Sequence, residues 1–147
     1  MSDKRVSAGQ RRTVIERARG CCEYCLSQMR FATESFSVEH ILPRSRGGKT
    51  TVANLGLACF GCNGHKYTKI EAVDPVDGHR VSLYHPREQK WHDHFCWNEN
   101  YTVIVGLTAV GRATVEALQL NRDGLVNLRS VLYEMGEHPP LMLNKDE

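Results

Sequence analysis

What the 147-residue chain lacks narrows the field first. No apolar stretch approaches the ~18 residues that a membrane-crossing helix needs. The opening, Met1-Ser2-Asp3-Lys4-Arg5-Val6, holds no apolar segment of the kind that directs export. Internal repeats and low-complexity tracts are absent, so neither a repeat array nor a disordered tether is expected. Hydrophobic residues at 41% and charged residues at 24% describe an ordinary globular protein with enough chain to bury a core. The expected location is the cytosol. There, six cysteines read as reduced thiols and metal ligands rather than as disulfides.

The net charge of +2 hides an asymmetry. Residues 1–70 carry 12 Lys and Arg against 5 Asp and Glu, whereas residues 71–147 carry 7 against 12. A basic first half suits a polyanion, because each phosphate contact releases condensed counterions. An acidic second half suits a protein partner.

Ala8 to Arg19 has the pattern of a short basic helix with Val14, Ile15 and Ala18 on one side, stopped by Gly20. Phe36 to Ile41 alternates as a strand does and ends before Pro43. Gly47-Gly48 marks a cationic loop, and Thr51 to Asn54 fits one helical turn. Leu57-Ala58-Cys59 is expected as a second strand, and Cys62 to Ile70 as a short helix. Past the turn cluster at residues 74–78, strands are expected at residues 81–84 and 101–107. Two helices follow, the first capped by Thr108 and the second starting at Asn121 or Asp123. Leu125, Leu128, Leu132 and Met135 form the apolar stripe of the second. The whole reads as a single α+β domain, with residues 8–70 as its nucleus and residues 71–147 as an extension packed on it.

Cys22-x-x-Cys25 and Cys59-x-x-Cys62 are the strongest signal. Two CxxC turns at this separation can surround one Zn²⁺ with four sulfurs and leave no position open for water. Such a site is structural, and a small ββα unit with little core needs such a staple. Cys21 competes with Cys22 on paper at a less usual spacing. Cys96 lies outside the pattern. His85, His92 and His94 match no metal motif, and their neighbours Trp91, Phe95 and Trp97 point to packing.

Between the cysteine pairs stand Glu39-His40-Ile41-Leu42-Pro43, the loop to Gly48, Asn54-Leu55, and then Asn63 and Lys66 directly behind Cys62. Over residues 20–70 this arrangement resembles the HNH endonuclease motif. Residues 75–140 more loosely resemble the tail of a bacterial branch of that family. The resemblance implies a ββα-metal fold, often zinc-stapled, that cuts DNA with one divalent cation. It implies His40 as the general base that takes a proton from the attacking water. Glu39, where the family often has Asp, and Asn63, where it has His or Asn, become ligands of the catalytic metal. Asn54 braces the loop and orients the histidine. Oxygen donors of this kind suit Mg²⁺ or Mn²⁺. Arg44, Arg46, His65 and Lys66 are the candidates for contacts to nucleic-acid phosphates.

The chemistry needs these residue types. Phosphodiesters resist attack because the phosphate is anionic and its alkoxide a poor leaving group; one cation addresses both. Neutral imidazole is a suitable base near pH 7. One difficulty is geometric: neighbours on a regular strand face opposite sides, so Glu39 and His40 share a site only if the strand ends or bulges there. The expected partner is DNA, double-stranded by default, with a homodimer or a partner protein as the assembly. Two rival readings are a non-catalytic zinc module that binds nucleic acid or protein, and a nuclease active only within a larger defence or mobile-element assembly.

Overall fold

A computed structural model describes residues 5–141. Met1 to Lys4, part of the opening discussed above, lie outside the described residues. Helix α1 (Ala8–Ala18) starts where Ser7 caps it. The Gln10 amide donates to the Ser7 hydroxyl at 3.0 Å, and the Ser7 amide donates back to the Gln10 side chain at 2.9 Å. This reciprocal pair satisfies two of the donors that a helix start leaves open. The helix ends at Arg19 and Gly20, both with left-handed φ, and the chain turns directly into the Cys22–Cys25 knuckle.

Strand β1 (Ser37–His40) pairs antiparallel with β2 (Leu55–Ala58), His40 opposite Leu55, and α2 (Phe60–Lys66) follows. This is the ββα unit. Every residue of β2 is buried, which explains its apolar run without alternation. The sequence pattern places this strand at 57–59 and starts the helix at Cys62; both elements begin two residues earlier. The reason is the cysteine turn. Cys59 leaves the strand to cap α2, its Sγ accepting from the Cys62 amide at 3.4 Å. A sulfur with anionic character is favoured there by the partial positive charge of the helix start.

The second half supplies two further hairpins and two helices. β3 (Glu71–Val73) pairs with β4 (Arg80–Ser82) across the turn at residues 74–78. Then α3 (Trp91–His94) runs into β5 (Phe95–Trp97), which pairs with β6 (Ile104–Gly106). The long strand expected at 101–107 shrinks to three residues because the Asn98 side chain captures the amides of Thr102 and Val103, at 2.9 and 3.0 Å, in a turn. Helix α4 (Ala109–Leu118) is capped by Thr108, as its position predicts, and α5 (Asp123–Glu134) follows. Met135 falls off the buried stripe and is exposed, whereas Leu125 and Leu132 are buried.

One cluster of buried side chains joins the two halves: Tyr24, Leu55 and Leu57 from the first; Trp91, Phe95, Ile104 and Leu118 from the second. Burying each large apolar side chain contributes roughly 1.5–3 kcal/mol, so this shared core holds the extension against the ββα unit. Its closeness depends on Gly111, where any Cβ would lie 2.0 Å from the His94 carbonyl oxygen. Thr114 adds a buried polar tie, its hydroxyl accepting from the Tyr84 amide at 2.9 Å. No helix among the described residues is long and apolar enough to cross a membrane.

Candidate active site and metal centre

The four sulfurs of Cys22, Cys25, Cys59 and Cys62 all lie within 4.8 Å of one another, and all four residues are buried. The Cys25 and Cys59 sulfurs are 3.7 Å apart. Tetrahedral zinc with Zn–S bonds of about 2.3 Å places its ligands about 3.8 Å apart, so the cluster has the right size for that ion. Burial pushes the Cys22 thiol well up, while hydrogen bonds from Cys22, Cys25 and Cys62 pull Cys59 far below the usual thiol range. Sulfurs packed this tightly share protons or a cation; they cannot all ionise alone. The Cys21 thiol, pushed up to about 11 by burial, points to the Arg19 carbonyl instead and stays outside the cluster. The sequence pattern gives no hint of Arg122. Its guanidinium lies 3.3 Å from the Cys59 sulfur and 3.6 Å from that of Cys62, while also holding the Leu118 and Gln119 carbonyls at the end of α4. Sixty residues of chain separate it from the cysteines it serves.

On the other side of α2 the residues take up a different chemistry. Glu39, His40, Pro43, Arg44, Ser45, Asn63, Tyr67 and Thr68 border one open cleft of about 360 Å³. The geometric difficulty is resolved without a bulge. β1 keeps its pairing through His40 and ends there, and the cleft lies at that end, bordered by residues from both faces.

His40 is half-buried, and its Nε2 lies 2.9 Å from the Thr50 hydroxyl. Desolvation, and after it the positive charge of Arg44, lower its pKa from the ordinary value, so the imidazole is neutral at pH 7. Asn54 sits where the sequence places it and fastens the loop beyond the histidine. Its side chain accepts from the Leu42 amide at 2.9 Å and donates to the Leu42 and Lys49 carbonyls at 3.0 Å each. Its own carbonyl accepts from the Ile41 amide at 2.8 Å. The loop closes this tightly only because residue 48 is glycine: a Cβ there would lie 1.7 Å from the Leu42 carbonyl oxygen.

Glu39 is buried, and both its carboxylate oxygens have partners. The Tyr24 hydroxyl donates to Oε2 at 2.5 Å, and the Lys66 ammonium lies 3.1 Å from Oε1. This corrects the expectation for Lys66. It is 2% exposed, with its ammonium also donating to the Ile41 carbonyl at 2.8 Å, so it cannot reach a phosphate on the surface. A buried ammonium needs such partners, and Glu39 is the one that carries the opposite charge. Arg44 is exposed at the rim of the cleft. Arg46 donates to the Thr68 carbonyl at 2.9 Å, and His65 is exposed on α2 outside the cleft. Tyr67, missed in the sequence, is 75% exposed at the cleft with a left-handed φ of 49°. A lone tyrosine after a helix gives no signal of such a place.

The histidines around Trp91 have neighbours of their own, although His92 itself is exposed. His94 lies 2.6 Å from the Thr108 hydroxyl, and His92 stands edge-on to Trp91.

Residues 22–69 match the family model for HNH endonuclease. Over these residues the chain is similar to an HNH domain. The match opens at the first zinc-knuckle cysteine and closes just past α2, so it takes in the ββα unit, the cysteine cluster and the cleft. Neither the comparison with curated proteins nor that with solved structures yields a match. The HNH domain and its cysteine cluster tie the chain to nucleic-acid chemistry and to zinc.

Proposed function

We propose that this chain is a metal-dependent endonuclease that hydrolyses DNA phosphodiesters in the cleft at the end of β1. The observation that carries the reading is the meeting of Glu39, His40, Asn63 and Arg44 at one opening, from two separate stretches of chain. His40 is the general base. With Nε2 engaged by Thr50, Nδ1 is left to take a proton from water, and the lowered pKa keeps the ring in its receptive, neutral form. Asn54 holds the loop that follows the base, which limits the angles that the base can adopt. Arg44 at the rim meets a backbone phosphate and steadies the strand to be cut.

The donor set fits a hard divalent cation. Glu39 and Asn63, a carboxylate and a carboxamide residue, border the same opening, and a carboxylate that has accepted two hydrogen bonds still has lone pairs to offer. Glu39 and Asn63 would hold Mg²⁺ or Mn²⁺, which supplies charge to the scissile phosphate and the leaving oxygen. The Cys22, Cys25, Cys59 and Cys62 cluster would hold structural Zn²⁺ apart from the chemistry. Double-stranded DNA is the default substrate, cut one strand per encounter; a dimer or partner protein would convert nicks into breaks.

One observation favours a second reading, a zinc module that binds nucleic acid without cutting it: each Glu39 carboxylate oxygen already has a protein partner, Tyr24 or Lys66. Supercoiled plasmid separates the two. Nicking that needs Mg²⁺ or Mn²⁺, stops in EDTA and disappears in His40→Ala establishes the nuclease. Plasmid binding without cleavage in any metal by the zinc-loaded, folded protein establishes the binder.

A further inference from the structure

Lys66 is the most deeply withdrawn cation among the described residues, and the mechanism above gives it no task. It stands three residues after Asn63, in the last turn of α2. Its ammonium makes two contacts on β1 and just past its end: Glu39 Oε1 at 3.1 Å and the Ile41 carbonyl at 2.8 Å. Residues 39 and 41 flank His40. One side chain therefore binds the helix of one proposed metal ligand to the carboxylate of the other, on both sides of the proposed base.

Burial decides what this contact means. The Glu39 side chain is 5% exposed and that of Lys66 2%, so neither charge is stabilised by water. Each is the other's counter-ion in a place that water does not reach. A divalent cation at Glu39 would bring a second source of positive charge to a carboxylate that already has one, in a region where charges are weakly screened. An ammonium offers three donors, and only some are committed to Glu39. The Ile41 carbonyl can keep Lys66 in place when the carboxylate is taken over.

We infer that Lys66 is a resident counter-ion of the catalytic centre, a positioning residue that competes with the divalent cation for the Glu39 carboxylate. This rests on the reading of Glu39 as a metal ligand. Without metal, Lys66 holds and aims the carboxylate; with metal, it gives up Oε1 and retains the Ile41 carbonyl. The competition sets the metal concentration at which the site fills. It gives the HNH domain a weak site by construction, from a buried residue three positions beyond Asn63.

Mn²⁺ binding, followed by calorimetry on the zinc-loaded protein without DNA, tests this apart from activity. Lys66→Met should bind Mn²⁺ at least tenfold more tightly than the wild type. Glu39→Gln should bind it at least tenfold more weakly, and the double variant should match Glu39→Gln, because Lys66 acts only through that carboxylate. Unchanged or weaker binding by folded Lys66→Met overturns the competition. Unchanged binding by Glu39→Gln overturns the ligand assignment itself, and the competition with it. Where Lys66→Met does not fold, the wild type still decides. On Mg²⁺ titration the Lys66 side-chain ¹⁵N resonance should shift in step with the Glu39 carboxyl ¹³C resonance. A carboxyl signal that moves while the ammonium stays still overturns the inference.

Discussion

The two sides of α2 use neighbouring residues for opposite purposes. Cys62 faces a closed cage of four buried sulfurs; Asn63, the next residue, borders an open cleft. The cage is saturated with its own ligands and reinforced from outside by Arg122, which also ties it to the end of α4. The cleft is the reverse. It is open to solvent, lined by polar and charged groups, and held in shape by residues behind it: Thr50 for His40, Tyr24 and Lys66 for Glu39. Saturated ligation gives stability, and incomplete ligation gives reactivity. A seven-residue helix serves both because its successive side chains point 100° apart.

That comparison can be broken at several points, and the largest effect belongs to the cage. Cys59→Ser removes a sulfur ligand and leaves a hydroxyl that can still cap α2, so it isolates the metal. It should abolish stoichiometric zinc and the cooperative unfolding transition together, as read by metal analysis and circular dichroism. A zinc-free, cooperatively folding variant would show the cage to be dispensable. His40→Ala should do the opposite, with cleavage falling by roughly 10²–10⁴, the usual contribution of a positioned base. Its zinc content and melting temperature should stay at wild-type values.

Arg122→Met probes the outer wall of the cage. Partners that hydrogen-bond to metal ligands commonly contribute a factor of about 10–100 in affinity, and chelator competition should reveal a loss of that size. Cleavage at saturating zinc should be unaffected. The smallest effect is on pH. The folded protein lowers the His40 pKa, so if the neutral ring is the proposed base, cleavage should rise with pH through a midpoint below the ordinary histidine value of 6.5. Arg44→Ala removes one cause of the lowering, so that midpoint should move up, toward 6.5. A midpoint that stays put would remove Arg44 from the surroundings of the base.

The limits of the sequence appear at particular residues. The cysteine spacing is local enough to be legible, and the loop that Asn54 fastens is legible beside it. Helix α1, the one-turn helix before β2, and the Thr108 cap are also visible, because caps and turn formers act on the residues beside them. The hairpin strand β3 and the pair α3–β5 are not. At three or four residues they are too short for any period to show, and α3–β5 exists because Phe95 and Trp91 find the core. Lys66 was misplaced for a related reason. A lysine in a basic helix reads as surface charge unless its buried partner is known, and that partner lies on another strand.

The sequence by itself determined the cysteine pairs and their spacing, and with them the likeness to an HNH domain, because those signals are carried by residues close along the chain. Only the tertiary structure decided which charges are withdrawn from water. It put Arg122 on the sulfurs, Tyr24 and Lys66 on Glu39, and Thr50 on His40, through contacts 10 to 63 residues apart. Such pairings depend on burial, and burial is a property of the packed chain rather than of any stretch of it.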